Sequence, residues 1–205
     1  VVSQNQRIVS WCDQHTIFHC AAFEQLRDVA EFDHLFSITN LKMLPEWLLA
    51  KPTRSAINFH DGPRPRYAGL NVPVWALLND EREHGISWHL MEGEADTGAL
   101  LATRRFAIEA GETVFSLNTK CYQAALESFI ELLDGLAQGE VQSQPQDLTQ
   151  RTYFGLTQRP DALLDWQRPA ADLERLIRAL DFGPYANPVV LPNIDLGNRL
   201  LLVRR

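Results

Sequence analysis

A nine-residue loop sequence, DGPRPRYAG at 61–69, restricts the fold more than any other segment of this chain. Its two glycines and two prolines exclude regular structure, so the segment must be an extended loop of fixed course. The preceding residues, SAINFH at 55–60, are typical of a buried strand on which Asn58 and His60 lie two apart. Their side chains therefore point to the same face, at the carboxyl end where open α/β sheets bind ligands.

The segments around this loop predict an α/β fold with a parallel sheet. Two strand-like segments with a short helix between them are typical of a βαβ unit. Two later strand-like segments, joined by the polar turn EGEADTG, indicate a hairpin. We expect, in chain order, helix 22–30, strand 32–39, helix 44–50, strand 55–60, helix 72–79, strands 85–91 and 99–108, helix 113–137, a helix from residue 169, and strand 199–203.

Charge and composition exclude several classes of protein. The 205 residues have a formal net charge of −7, which disfavours a nucleic-acid partner, and their hydrophobic fraction of 45% excludes whole-chain disorder. No apolar run approaches the roughly 18 residues of a membrane span. Three widely spaced cysteines and the absence of a leader sequence favour a reduced, cytoplasmic setting. The histidines show no metal-binding pattern, so we expect no metal.

Asn58, His60 and Asp96 are the candidates for chemistry. An amide and an imidazole on one face can stabilise a developing oxyanion, and the carboxylate of Asp96 can handle a proton. From the residues alone, the alternatives are a hydrogen-bonded strand end for Asn58 and His60 and an ordinary turn residue for Asp96, as is common in Asp-Thr-Gly. The same tripeptide, 96–98, occurs in aspartic proteases, but the predicted helices disfavour their all-β fold.

The order of these motifs is more specific than any single one. Asn-x-His at 58–60, then Pro-Arg-Tyr-x-Gly at 65–69, then Asp-x-Gly at 96–98 resembles the formyltransferase family that uses 10-formyltetrahydrofolate. The resemblance implies a Rossmann-like fold, with a mainly parallel sheet, flanking helices and an antiparallel hairpin. It also implies a first strand and helix before residue 1, so we expect that N-terminal unit to be missing.

The resemblance further implies domain limits and site residues. Residues 1–140 would form the catalytic domain, 141–160 a linker, and 161–205 the start of a small C-terminal subdomain. Asn58 and His60 would donate hydrogen bonds to the oxyanion, and Asp96 would keep His60 protonated or move the proton of the amine through a water. The folate-binding residues would be Pro65, Arg66, Gly69, Glu92, Gly93, Ala95 and Gly98.

Arg64 is a residue of the loop that departs from the family pattern. Arg64 stands where many members have an apolar residue. It would either attract the anionic glutamate tail of folate, together with Arg66, or simply be solvated.

The acceptor amine remains open on the sequence. The HDGP form of the loop and LDFGPYANP at 180–188 resemble the formylation domains of nonribosomal peptide synthetases, which favours an aminoacyl group on a carrier domain. A sugar nucleotide or free amino acid comes second, and tRNA third because the chain is acidic and Ala68 replaces a family arginine. The alternative from another class is a non-catalytic module that binds folate or a protein partner.

Overall fold

The computed structural model describes residues 1–92 and 94–203. Two compact units follow one another along the chain, Val1–Ile57 and the residues from Asn58 onward. The fold is mixed α/β, with a mainly parallel sheet and flanking helices, as the sequence predicted. The helices are α1 (Gln6–Gln14), α2 (Glu46–Leu49), α3 (Val72–Leu78), α4 (Val114–Gln138) and α5 (Ala170–Ala179). The strands are β1 (Phe32–Ser37), β2 (Pro52–His60), β3 (Ala68–Gly69), β4 (Glu83–Leu90), β5 (Leu100–Ala107), β6 (Tyr153–Phe154), β7 (Asn193–Asp195) and β8 (Leu200–Leu202).

The first unit has a small apolar core of its own. Cys20, Leu26 and Leu48 are its buried members. The helix predicted at 22–30 is wrong, because only Phe23–Leu26 forms a single 3₁₀ turn. So short a segment gains few intrahelical bonds against the cost of nucleation, and the Gln25 side chain instead accepts the N–H of Ala22.

The strand order of the four-stranded sheet is β1-β2-β4-β5. Residues 84–89 of β4 are all buried, as expected for a strand flanked by others, whereas β5 alternates between half-buried and exposed residues in its second half. The β4–β5 pair is antiparallel, with Ile86 opposite Arg104, which confirms the predicted hairpin. The described residues between the two strands, 91, 92 and 94–99, lie at the carboxyl end of β4 and are called the 91–99 turn.

Helix α4 follows the sequence prediction closely. The Thr113 hydroxyl accepts the N–H of Ser116 at 3.2 Å and caps the first turn. Gly139, with φ of +73°, ends the helix in the left-handed conformation that glycine adopts without strain. Its buried stripe, which packs the helix against the rest of the unit, includes Leu117, Cys121, Ala125 and Leu132.

The C-terminal segment shares a core with the preceding helices. Leu173 and Leu176 of α5 belong to one apolar cluster with Val74 and Leu77 of α3 and with Leu117 of α4. The tail therefore packs on the rest of the second unit, as expected for a segment too short to fold alone. The domain limits themselves stay a prediction.

Residues 141–160, predicted as a linker, make specific contacts in this structure. Strand β6 pairs in parallel with β3, so that Ala68 lies opposite Tyr153. The Gln146 amide donates to the carbonyls of Asp96 and Gly98, at 3.1 and 2.6 Å. Residues of this segment therefore hold both the 61–69 loop and the 91–99 turn in place through hydrogen bonds.

In the part of the chain that the structure describes, no helix has the length and apolarity that crossing a membrane requires.

Candidate active site

Asn58 and His60 lie at the carboxyl end of β2, as the sequence predicted. The alternation of side chains along a strand places both on one face. His60 is buried, with 6% of its surface exposed, and Asn58 is half-buried. The strand thus holds two hydrogen-bonding side chains rigidly where the loop begins.

The loop fixes the orientation of the His60 ring. Its Nε2 lies 2.7 Å from the Tyr67 carbonyl oxygen, which only accepts, so Nε2 carries a hydrogen and donates. A side chain at Gly62 would meet this pair, since its Cβ would lie 2.6 Å from the Tyr67 oxygen and 2.8 Å from His60 Nε2. Burial and the nearby charge of Arg64 hold the pKa of His60 well below its usual range, so the neutral ring predominates.

Asp96 lies in the 91–99 turn with donors around its carboxylate. Oδ1 is 2.6 Å from Nη2 of Arg64, and Oδ2 accepts the backbone N–H of Gly69 at 3.1 Å. Burial alone would raise its pKa, but the surrounding donors and charges, the Arg64 guanidinium among them, outweigh burial and hold that pKa well below its usual range. Asp96 is therefore ionised at neutral pH.

His89 joins Asn58 to Asp96, and sequence reasoning missed it as a site residue. Its Nδ1 lies 2.8 Å from the Leu90 carbonyl oxygen and therefore carries a hydrogen. Its Nε2 lies 3.2 Å from Asn58 Nδ2 and 3.5 Å from Asp96 Oδ1. A signal was present, because His89 lies on the strand that leads into the turn with Asp96, but a single histidine on a strand shows no recognisable site pattern.

Arg64 is a buried member of the site, so the expectation that it is solvated is wrong. Its side chain has no exposed surface, and its backbone N–H donates to the Ser87 hydroxyl at 3.1 Å. Within the described part of the chain, the guanidinium nitrogens form no hydrogen bond of good geometry, so the contact of Arg64 with Asp96 is an ion pair. Removal from water lowers the pKa of Arg64, and the adjacent Asp96 carboxylate opposes that shift.

The other predicted residues lie in three different settings. Gly69 and Gly98 are close to other backbone, since a Cβ would lie 2.1 Å from the Phe154 oxygen and 2.0 Å from the Leu90 oxygen, respectively. Arg66 points to Glu81 and is 52% exposed. Pro65 follows a cis peptide bond, and the carbonyl of Ala95 accepts a hydrogen bond from Arg151 at 3.2 Å. Glu92 is exposed, and Gly93 lies outside the described residues.

The structure thus brings Asn58, Asp96 and Gly69 together, with His89 and Arg64 as the connecting residues. Glu92 and Arg66 make no described contact with this group. Within residues 1–92 and 94–203, no three His, Cys, Asp or Glu side chains are grouped so as to hold a metal ion.

The arrangement offers a distinct set of chemical functions. The Asn58 amide has two N–H donors, and the contact with His89 uses one of them, so the other is available to a substrate oxygen. His60 presents Nδ1, which accepts a proton when the ring is neutral and donates one when it is charged. Donors for a developing negative charge thus lie beside a group that exchanges protons, a combination suited to acyl transfer.

Comparison with known proteins gives an independent view of the same region. The model of the formyl transferase family matches residues 19–133, which contain every catalytic residue predicted above. A methionyl-tRNA formyltransferase of Pelobacter propionicus is 31% identical over 176 residues, or 86% of this chain and 55% of the relative. The chain therefore spans about half the length of that curated relative.

Solved structures share the fold. A 4-N formyltransferase from Francisella tularensis superimposes with a TM-score of 0.81 at 17% identity, covering 98% of this chain and 83% of that one. An N-formyltransferase from Helicobacter canadensis, solved with folinic acid and dTDP-3-aminofucose, gives a TM-score of 0.74 at 18% identity over 87% of this chain and 65% of the other.

Proposed function

This chain belongs to the formyl transferase family, and from that premise we propose that it is an enzyme that transfers a formyl group from 10-formyltetrahydrofolate to an acceptor amine. The observation that supports this most is the cluster of Asn58, His89 and Asp96 beside His60, at the carboxyl end of the sheet. These side chains would supply donors for an oxyanion and a group that exchanges a proton, which formyl transfer needs.

In the proposed reaction, the uncharged amine attacks the formyl carbon and the carbonyl oxygen becomes an oxyanion. Asn58 donates its free N–H to that oxygen, and His60 donates from Nδ1 once it has gained a proton. Asp96 holds a fixed negative charge that favours the protonated form of His60 and opposes the effect of Arg64 on that ring.

The folate donor would bind against the 61–69 loop and the 91–99 turn. Backbone groups of the turn would bind the flat pterin, since Gly98 brings the chain close to the end of β4. The contribution of Pro65, Arg66, Gly69, Glu92, Gly93 and Ala95 to this binding stays a prediction. The solved relative from H. canadensis, crystallised with folinic acid, supports a folate-type donor in this fold.

Arg64 and Arg66 are less available to bind the glutamate tail of folate than the sequence predicted. Arg64 faces Asp96, and Arg66 faces Glu81, so each guanidinium has a carboxylate partner within the chain. Since Arg66 is half exposed, it remains the better candidate of the two for contact with the tail.

For the acceptor, an aminoacyl group on a carrier domain remains our first proposal, on the HDGP form of the loop. Relatives favour the alternatives, because the H. canadensis structure contains a dTDP-amino sugar and the P. propionicus relative is named for methionyl-tRNA. The formal charge of −7 disfavours tRNA. A cytoplasmic location also stays a proposal.

The decisive experiment offers the purified chain 10-formyltetrahydrofolate with three acceptors in turn: an aminoacyl-pantetheine, a dTDP-amino sugar and a methionyl-tRNA. We expect formylation of one of them, detected by mass spectrometry. Asn58→Ala, His60→Ala and Asp96→Asn should each lower the rate by about 10²–10³, whereas His15→Ala on the surface should not. Near-normal turnover in folded His60→Ala would reject the assignment.

The same experiment separates the enzyme from a non-catalytic module. Calorimetric titration with folinic acid measures binding without turnover. Binding with no transfer to any acceptor would favour the module, and neither binding nor transfer would reject both proposals.

A further inference from the structure

A second carboxylate, Asp61, lies beside His60. Its Oδ1 is 3.9 Å from Nδ1 of His60, and 29% of its side chain is exposed to solvent. This carboxylate follows His60 directly in the chain and takes no part in the mechanism described so far.

The tautomer of His60 determines which atom can take a proton. Because Nε2–H is committed to the Tyr67 carbonyl, a neutral ring has its lone pair on Nδ1. Nδ1 is thus the atom that gains a proton, and Asp61 is the carboxylate that the structure places within ion-pair distance of it.

Asp96 is poorly suited to exchange that proton. Both of its oxygens already face donors, Nη2 of Arg64 and the N–H of Gly69. A proton on Asp96 would have to displace one of these contacts, and the guanidinium charge opposes it. Asp96 therefore acts as a fixed charge.

We propose that Asp61 is the positioning carboxylate that stabilises protonated His60 during formyl transfer, while Asp96 remains ionised in its pair with Arg64. This inference rests on the proposed function.

In the proposed step, the amine nitrogen forms a bond to the formyl carbon, and the carbonyl π electrons move to oxygen. One N–H proton of the resulting ammonium passes to Nδ1 of His60, and Asp61 balances the imidazolium charge. The carbonyl then re-forms, the bond from carbon to N10 of the folate breaks, and N10 takes the proton from Nδ1.

The surroundings of Asp61 come from several elements, and each contributes to its state. Arg64 and Asp96 lie on the loop and the turn, and His84 of β4 donates from Nε2 to the Asp61 carbonyl at 2.9 Å. On α4, the Cys121 thiol contacts the same carbonyl at 4.0 Å, and burial and the charge of the Asp61 carboxylate both contribute to raising the pKa of Tyr122. Burial is the largest influence and raises the pKa of Asp61 to about 6, against the opposing charge of Arg64.

The ionisation of Asp61 therefore falls at about pH 6. Below about pH 6 the carboxyl is neutral and no longer stabilises the imidazolium, so the rate should fall with acid. Asp96, whose pKa lies well below its usual range, would not produce a fall in that range.

The first test compares pH profiles of kcat and KM for the wild type, Asp61→Asn and Asp61→Glu, with Asp134→Asn as a surface control. We expect kcat of Asp61→Asn to fall by about 10²-fold, KM to change little, and the acid limb near pH 6 to disappear. Asp61→Glu should restore part of kcat. An Asp61→Asn enzyme that keeps the wild-type kcat and acid limb would overturn the proposal.

The second test needs no substrate, so it separates this proposal from the proposed function. The pH titration of ¹⁵N-labelled His60, followed by NMR, should show hydrogen on Nε2 in the neutral form and a lower His60 pKa in Asp61→Asn than in the wild type. Hydrogen on Nδ1 instead, or the same titration in both proteins, would overturn the role of Asp61. Failure of the wild type to formylate any acceptor would reject the proposed function alone.

Discussion

The guanidinium of Arg64 lies 2.6 Å from the carboxylate of Asp96, and both side chains are largely withdrawn from solvent. Asp96 follows Arg64 by 32 positions in the chain, so the pair connects the 61–69 loop to the 91–99 turn. Removing two charges from water is costly, and their attraction offsets that cost only while both are present. The ion pair therefore makes the geometry of the site sensitive to the loss of either partner.

Arg64→Met should remove the charge while keeping much of the volume of the side chain. The unpaired, buried Asp96 should then lower the free energy of unfolding by about 3–5 kcal/mol at pH 7. The pKa of Asp96 is depressed in the folded state, so its stabilisation is present above its unfolded value of about 4 and is lost as the pH falls. The difference between variant and wild type, measured by urea unfolding, should therefore shrink below about pH 4.

Arg66→Met is the matched control for this experiment. Arg66 also pairs with a carboxylate, Glu81, but it is 52% exposed. Exposed pairs contribute about 0–1 kcal/mol, so this variant should unfold much like the wild type. Equal effects of the two substitutions would contradict the view that the Arg64 pair is a buried one.

His84 gives a second pH-dependent prediction. Its ring is fully buried, its Nδ1 has no hydrogen-bond partner among the described residues, and burial lowers its pKa to about 4. Between about pH 6.5 and 4, His84 binds a proton in the unfolded chain but stays neutral in the folded chain. The free energy of unfolding therefore falls as the pH is lowered through this range, by about 3 kcal/mol in total. His84→Gln should flatten that part of the stability curve, measured by urea unfolding at half-unit pH steps, whereas exposed His15→Gln should leave it unchanged.

Much of the fold was predictable because its long elements have strong local signals. Helix α4 has a capping threonine, a regular apolar stripe and a final glycine, and the β4–β5 hairpin has a polar turn between two apolar segments. The β3–β6 pair was missed because strands of two residues are too short to show any alternation.

In the candidate site, the placement of side chains along one strand was predictable, but contacts between residues far apart in the chain were not. Strand alternation alone places the side chains of Asn58 and His60 on one face at the end of β2, and their role in chemistry stays a prediction. The burial of Arg64 depends on a carboxylate far along the chain, and nothing in a Gly-Pro-Arg-Pro loop indicates an inward arginine. His89 likewise meets Asn58 through the placement of β2 beside β4, which periodicity does not reveal.

Gly98→Ala tests the close packing of the turn that carries Asp96. Its Cβ would lie 2.0 Å from the Leu90 carbonyl oxygen, a backbone atom that cannot move without opening the turn. We expect a loss of about 1–3 kcal/mol in stability, together with a loss of formyl transfer as Asp96 is displaced. Gly155→Ala is the control, since its Cβ would meet only the Tyr153 ring at 3.5 Å. A Gly98→Ala protein with normal stability and activity would show that the turn is not held this tightly.

The last prediction concerns the buried bond between Trp88 on β4 and Ser128 on α4, where the indole N–H donates to the hydroxyl at 2.9 Å. Ser128→Ala leaves that N–H buried without a partner, which should cost about 1–3 kcal/mol in urea unfolding. If the cost arises from the unpaired indole, the same substitution should cost much less in a Trp88→Phe background, because no donor is then left behind. Thr119→Ala, on an exposed turn of the same helix, should change stability by less than about 0.5 kcal/mol. If Ser128→Ala costs the same in the wild type and in Trp88→Phe, the lost stability comes from the helix itself. The Ser128 hydroxyl also donates to the Ala124 carbonyl there, at 2.7 Å.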